Sequence, residues 1–215
     1  MCSVFPLRRV LWAKEDGTSR DGRADILFRK VRIMFQMFRR PMGLTKPPFR
    51  VYLCSKESIS YPAPIRRRIQ DHFRTIVAKS GKFSRVEVAW SSVAPKLNQH
   101  ELVVFFVGSK NQSVAKKLWA SVTFGDDGTT VVGDKGDVVS EVYLDGSQDD
   151  PYGLANVAMH ELMHNVAMMT NELHNLSGLR MGLDPVTAHT PLVTGDVDLM
   201  VKHLTRFRTQ WTAGF

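Results

Sequence analysis

Met159-His160-Glu161-Leu162-Met163-His164-Asn165 holds the residues of this sequence with the clearest capacity for chemistry. His160 and His164 are four apart, so on an α-helix their rings lie on one face, one above the other. Two neutral imidazoles at that spacing can hold one zinc ion at about 2.0–2.1 Å from each nitrogen. Glu161 follows the first histidine and would point towards the ion's open coordination position. A carboxylate there can take a proton from a water that zinc has acidified to a pKa of about 7. The spacing therefore points to metal-assisted hydrolysis, with two ligands and a general base in five residues. The bland alternative is a pair of histidines packed on a half-apolar helix.

The elements that must position these residues favour the chemical reading. Asp149-Asp150-Pro151 is a helix start, with acidic residues at the positive end of the dipole and proline at an early position. Leu154, Val157, Ala158, Met159, Leu162, Met163, Val166 and Ala167 give the helix apolar surface almost all round, as a buried helix requires. Val138 to Leu144 is a strand-like run that precedes it by a short loop. Further upstream, Phe49 to Cys54 reads as a strand, and Pro62 and Pro64 open a helix over about Ile65 to Ser80. Val86 to Trp90 alternates, and Leu102 to Val107 is a continuous apolar run suited to a central strand covered on both faces. Ser113 to Trp119 reads as a short helix. Val122-Thr123-Phe124 and Thr129 to Val132 flank a turn at Gly125-Asp126-Asp127-Gly128. The acidic cluster through Asp137 lacks the spacing of a calcium loop and reads as turn chemistry. The expected fold class is α/β (α+β): a sandwich with a mixed, twisted sheet, a backing helix, an active-site helix and a C-terminal helix.

The 215 residues suit one domain with an arm and are enough to bury a core without staples. Cys2 and Cys54 are far apart and suggest no disulfide framework. No apolar run has the length of a membrane span, and Met1 to Trp12 lacks the features of a secretory signal. Localisation is left open, with cytoplasm or non-classical export favoured. Residues 1–50 hold twelve Lys or Arg and four Asp or Glu, a net +8 equal to that of the whole chain. Residues 1–48 thus form a basic arm, and residues 49–215 the presumed catalytic domain. Within the arm, Asp25 to Arg40 places Ile26, Leu27, Val31, Met34, Phe35 and Phe38 near helical spacing among arginines. Three roles fit it: a packed helix with solvated arginines, a pro-segment, or a basic amphipathic helix for an anionic partner such as nucleic acid or a membrane surface. Pro41 to Pro48 reads as a linker.

A hydrolytic zinc site needs a third protein ligand, with the fourth position left to water. Downstream of the motif the candidates are His174, His189 and His203, with Asp184, Asp196 and Asp198 as weaker options. Glu172, the only glutamate after Glu161, comes too soon to be the distant helical glutamate of the thermolysin-like class. The order of elements and His160-Glu161-x-x-His164 resemble the metzincins, whose pattern is H-E-x-x-H-x-x-G-x-x-H followed by a methionine turn. The sequence departs from that pattern, with Ala167 at the glycine position and Thr170 at the third-histidine position. Asn171-Glu172-Leu173-His174 repeats the spacing four residues later, and asparagine tolerates the left-handed conformation that the turn demands. The resemblance thus implies a helix one turn longer that bends at Asn171 and returns His174 to zinc. For the methionine turn, Thr194-Gly195-Asp196-Val197-Asp198-Leu199-Met200 is the better candidate, ahead of a final helix around Val201 to Thr209. Met181 is the alternative. No tyrosine follows His174 to match the one that assists some metzincins.

The expected activity is that of a zinc-dependent endopeptidase: Zn2+ on His160, His164 and His174, Glu161 as general base, and a protein or peptide substrate. The substrate would lie extended along an edge strand near Ser121 to Tyr143. His160-Glu161-Leu162-Met163-His164-Asn165 also resembles the Spartan-like DNA-associated peptidases, which the basic arm would suit. They place the motif early in the chain, whereas here most of the sheet precedes it. The rival from another class is a non-catalytic zincin-fold binding module that works through its basic arm. An intact Glu161 beside both histidines counts against it.

Overall fold

The chain divides into two compact units, Met1–Thr45 and Lys46–Phe215. A computed structural model describes residues 45–98, 101–115, 126–132, 137–146, 148–167, 173–174, 177–180 and 185–204. The helix expected over Asp25 to Arg40 lies outside them, as do most of the Ser113 to Trp119 helix and the run Val122 to Phe124. Pro47 already belongs to the second unit, because its carbonyl accepts the Ser84 N–H at 3.0 Å.

Five strands form one sheet: β1 (Phe49–Cys54), β2 (Val86–Ser91), β3 (Glu101–Val107), β4 (Gly128–Val132) and β5 (Val138–Tyr143), in the order β2-β1-β3-β5-β4. The first four in that order run parallel, and β4 closes one edge antiparallel to β5, with Thr130 opposite Ser140. Every residue of β3 is buried. Its alternate side chains serve two cores, as the pleat dictates. Leu102, Val104 and Phe106 join the main core under the helices, while Val103 and Phe105 pack with Cys54, Val131 and Val139 on the opposite side. A central strand covered on both faces has no solvent-facing residue to alternate.

Helix α1 (Pro62–Ser80) starts three residues before Ile65, since proline is well tolerated in the first turn of a helix. It ends at Gly81, whose φ of 62° suits a left-handed cap and whose N–H returns to the Val77 carbonyl at 3.1 Å. Ile65, Ile69, Phe73 and Ile76 form its buried stripe. Helix α2 (Pro151–Ala167) is capped by Asp150, whose Oδ1 accepts the N–H groups of Tyr152 at 2.5 Å and Gly153 at 3.2 Å. From Gly153 to Ala167 only His160 is not fully buried, so α2 is an interior helix.

A buried polar network registers α2 against its neighbours. Asn156, fully buried, accepts a hydrogen bond from His72 Nε2 on α1 at 2.9 Å. Its amide nitrogen donates to the carbonyls of Thr187 at 2.8 Å and Thr190 at 3.0 Å. With Arg68 Nε–H also donating to its Oδ1 at 3.4 Å, all four of its hydrogen-bonding positions are satisfied, as a buried amide requires.

Helix α3 covers Thr194–His203 and corrects the expectation for this segment. Thr194 to Met200 is helical rather than a turn, and Met200 is a core residue within it. The helix begins early because the Asp196 carboxylate accepts the Val193 N–H at 2.9 Å, which satisfies an otherwise orphaned donor at the helix start. Met181 lies outside the described residues. Among the described residues no helix is long and apolar enough to cross a membrane.

Candidate metal centre

Interior burial of α2 brings one exception to its surface. His160 is half-buried, His164 is buried one turn on, and both rings emerge on the same side of the helix. His174, exposed, arrives beside them next to the fully buried Leu173, which anchors its backbone. Nε2 of His164 lies 3.1 Å from Nε2 of His160 and 2.9 Å from Nε2 of His174. The His160 and His174 rings are nearly parallel, at 9°, and the His164 ring stands at 84° and 87° to them. The three ligand atoms fall within 4.8 Å of one another. The bend expected at Asn171 lies outside the described residues.

Hydrogen bonding decides which nitrogens carry protons. Nδ1 of His160 sits 2.6 Å from the Leu179 carbonyl oxygen, which can only accept. The proton is therefore on Nδ1, and Nε2 presents its lone pair to the cluster. Burial, aided by the neighbouring His174, lowers the His160 pKa below its ordinary value against the opposing pull of the Leu179 hydrogen bond. His164 is pushed down to about 3, first by burial and then by the other two imidazoles. Both rings are thus neutral at pH 7, the form in which imidazole binds a metal. His164 Nδ1 is buried with no hydrogen-bond partner among the described residues.

This donor set fits a small divalent ion. Two nitrogens at about 2.0–2.1 Å from a tetrahedral centre are about 3.3 Å apart. The separations of 3.1 and 2.9 Å are close to that value, and the third pair, His160 with His174, lies within 4.8 Å and would draw in around a shared ion. Without an ion, three converging lone pairs would repel or need a shared proton. The other sequence candidates lie elsewhere. His189 is exposed, His203 is buried outside the cluster, Asp198 pairs with Lys79, and Asp196 is buried in an ion pair with Arg180 at 2.8 Å. Asp184 and Glu172 lie outside the described residues.

Glu161 is buried against the edge of the sheet. Its Oε2 accepts the Thr130 hydroxyl of β4 at 2.7 Å, and that hydroxyl is also 2.9 Å from the Glu161 carbonyl. Ser140 on β5 completes the contact at 2.9 Å from Thr130, and Asn165 donates to it at 3.2 Å. Burial raises the Glu161 pKa to about 8, opposed by the Thr130 hydrogen bond and reinforced by the charge of Glu141. Gly128 provides clearance: a Cβ there would lie 3.0 Å from Glu161 Oε1 and 2.8 Å from the Glu141 carbonyl oxygen.

Nothing in the sequence marks Leu179 or Thr130 as part of the site, and Asp196 stands there only as a weaker ligand candidate. The contacts of Leu179 and Thr130 with the motif span 19 and 31 residues, and no local spacing encodes them. Gly178 and Gly195 were the available hints. No protein-family model matches the chain, and no curated protein matches it either.

Proposed function

We propose that this protein is a zinc-dependent endopeptidase with a zincin-like fold, and that His160, His164 and His174 hold the ion. The observation that carries the reading is the convergence of three imidazole Nε2 atoms at 2.9 and 3.1 Å beside a buried glutamate on the same helix. Nitrogen donors in this number suit zinc, and the resemblance of His160-Glu161-x-x-His164 to the metzincins selects hydrolysis of peptide bonds. The mixed sheet, with its antiparallel edge strand β4 beside α2, supports the same fold.

Zinc in such a cage supplies Lewis acidity, which makes water easier to deprotonate and polarises a carbonyl. The chain's own residues do the rest. Glu161 takes a proton from water, and the hydroxide adds to the scissile carbonyl carbon. Glu161 then gives that proton to the amide nitrogen, the C–N bond breaks, and a carboxylic acid and an amine leave. The Thr130 hydroxyl steadies the carboxylate between these two transfers. An edge strand such as β4 can pair with an extended peptide through its backbone, which would lay substrate across the end of α2.

Metal analysis of the purified protein, paired with digestion of a peptide library, tests the reading. Stoichiometric zinc and cleavage that a chelator abolishes are expected. Glu161→Gln is expected to keep the zinc and lose about 10²- to 10⁴-fold in rate, the usual share of general acid–base catalysis. Undiminished cleavage by that variant would remove Glu161 from its role, and absence of bound transition metal would end the proposal.

A further inference from the structure

The segment Gly178–Arg180 and the start of α3 form a second device around the metal centre. Leu179 gives its carbonyl to His160 Nδ1, so the position of one peptide unit decides which imidazole nitrogen faces the cluster. The residues on either side of that unit are both held by a single carboxylate. Asp196, with no exposed surface, accepts the Leu179 N–H at 3.0 Å through Oδ2. Its Oδ1 accepts Nε–H of Arg180, the next residue, at 2.8 Å. Oδ2 also takes the Val193 N–H at 2.9 Å, which ties the same carboxylate to the start of α3.

Two glycines make room for this arrangement. Gly178 has a φ of 73°, and a Cβ on it would collide with Asp196 Oδ2 and with Val193 Cγ2. A Cβ on Gly195 would collide with the Arg180 guanidinium. A helix cap alone needs neither the Leu179 N–H nor the half-buried Arg180 side chain.

We propose that Asp196 is a positioning residue for the metal centre: by clamping Leu179 it holds His160 in the Nδ1–H tautomer with the Nε2 lone pair aimed at the ion. The role rests on the metal-site reading for its purpose, but the tautomer itself is a property of the metal-free protein. A neutral imidazole with no carbonyl partner on Nδ1 populates the Nε2–H form, which cannot ligate through Nε2 until that proton leaves. Outer partners of metal-binding histidines typically contribute 10–100-fold in affinity.

The test uses the full chain labelled with ¹⁵N, with ring spectra recorded on metal-free protein and zinc affinity measured against a chromophoric chelator. Wild type should display Nδ1–H at His160. In Asp196→Asn, one accepting oxygen becomes a donor facing N–H groups. Here the Nε2–H form should appear and zinc affinity should fall about 10–100-fold. A folded Asp196→Asn that retains the wild-type tautomer and binds zinc within about twofold of wild type overturns the proposal. If that variant does not fold, Arg180→Gln, which removes one of the two grips, decides on the same two readouts, with a smaller shift expected and an unchanged tautomer and affinity counting against it. Wild type that displays Nδ1–H yet binds no zinc would sink the metal-site reading and leave the clamp itself standing.

Discussion

At the scale of single residues, the proposed centre assigns ligation and proton transfer to different side chains, and substitutions should separate them. His174 is exposed, so His174→Ala should leave the fold within about 0.5 kcal/mol of wild type, as surface changes do. Zinc affinity in the same variant should fall by more than the roughly 10–100-fold cost of losing an outer partner. Calorimetric unfolding of the metal-free protein and chelator competition measure the two effects. Gly128→Ala acts on the other half of the site. Its Cβ would stand 2.8 Å from the Glu141 carbonyl and 3.0 Å from Glu161 Oε1, so β4 or the glutamate must shift. Zinc binding should survive, while the cleavage rate drops about ten- to a hundredfold, the scale set by misplacing a reacting group. Equal rates for Gly128→Ala and wild type would mean that the clearance does not matter to Glu161.

Among the elements, α2 is the one whose placement everything else serves, and Asn156 is its most exposed weakness to mutation. Asn156→Leu would keep the volume but leave His72 Nε2–H and the Thr190 carbonyl without the partner they have here, while the Thr187 carbonyl keeps the Thr190 N–H at 3.1 Å. Each buried polar group left bare costs about 1–3 kcal/mol, so the total loss should exceed about 2 kcal/mol in urea unfolding. Adding His72→Leu should return part of it, and strict additivity of the two substitutions would show the pair to be uncoupled. The strands and α2 were legible in the sequence because burial writes itself as composition. The run Leu102–Val107 is apolar throughout since both faces of β3 are covered, and Asp150-Pro151 marks the start of α2. The motif histidines were legible by spacing, and His174 through the resemblance to the metzincin pattern. The start of α3 was not, because Gly195-Asp196 has the chemistry of a turn. The Asp196 carboxylate caps the helix by accepting the Val193 N–H, and only the folded molecule brings the same carboxylate to a partner 17 residues away at Leu179.

For the molecule as a whole, neutral buried histidines make stability depend on pH. The pKa values of His72, His160 and His164 are all lowered in the metal-free fold, with burial the first cause in each. Above the unfolded value of about 6.5 the rings are neutral in both states and contribute no pH dependence. As pH falls through 6.5, the unfolded chain takes up protons that the folded one refuses, so stability is lost on acidification until each folded pKa is reached. Each ring contributes a slope of up to about 1.4 kcal/mol per pH unit in that window. Unfolding midpoints of the metal-free protein at pH 7.5 and 5.5 should therefore differ, and His72→Gln should reduce the difference. An identical acid response in that variant would show that His72 titrates in the native state as freely as in the unfolded one.

The meeting of α2 with His174 also has a thermodynamic consequence for the intact chain. A cation held by His164 and His174, ten residues apart, would clip the end of the helix to the segment beyond it. Free ion at about a thousand times its dissociation constant would add about 4 kcal/mol to folding. The melting temperature should then rise as zinc is added to the metal-free protein, and a midpoint that ignores the added ion would count against the clip.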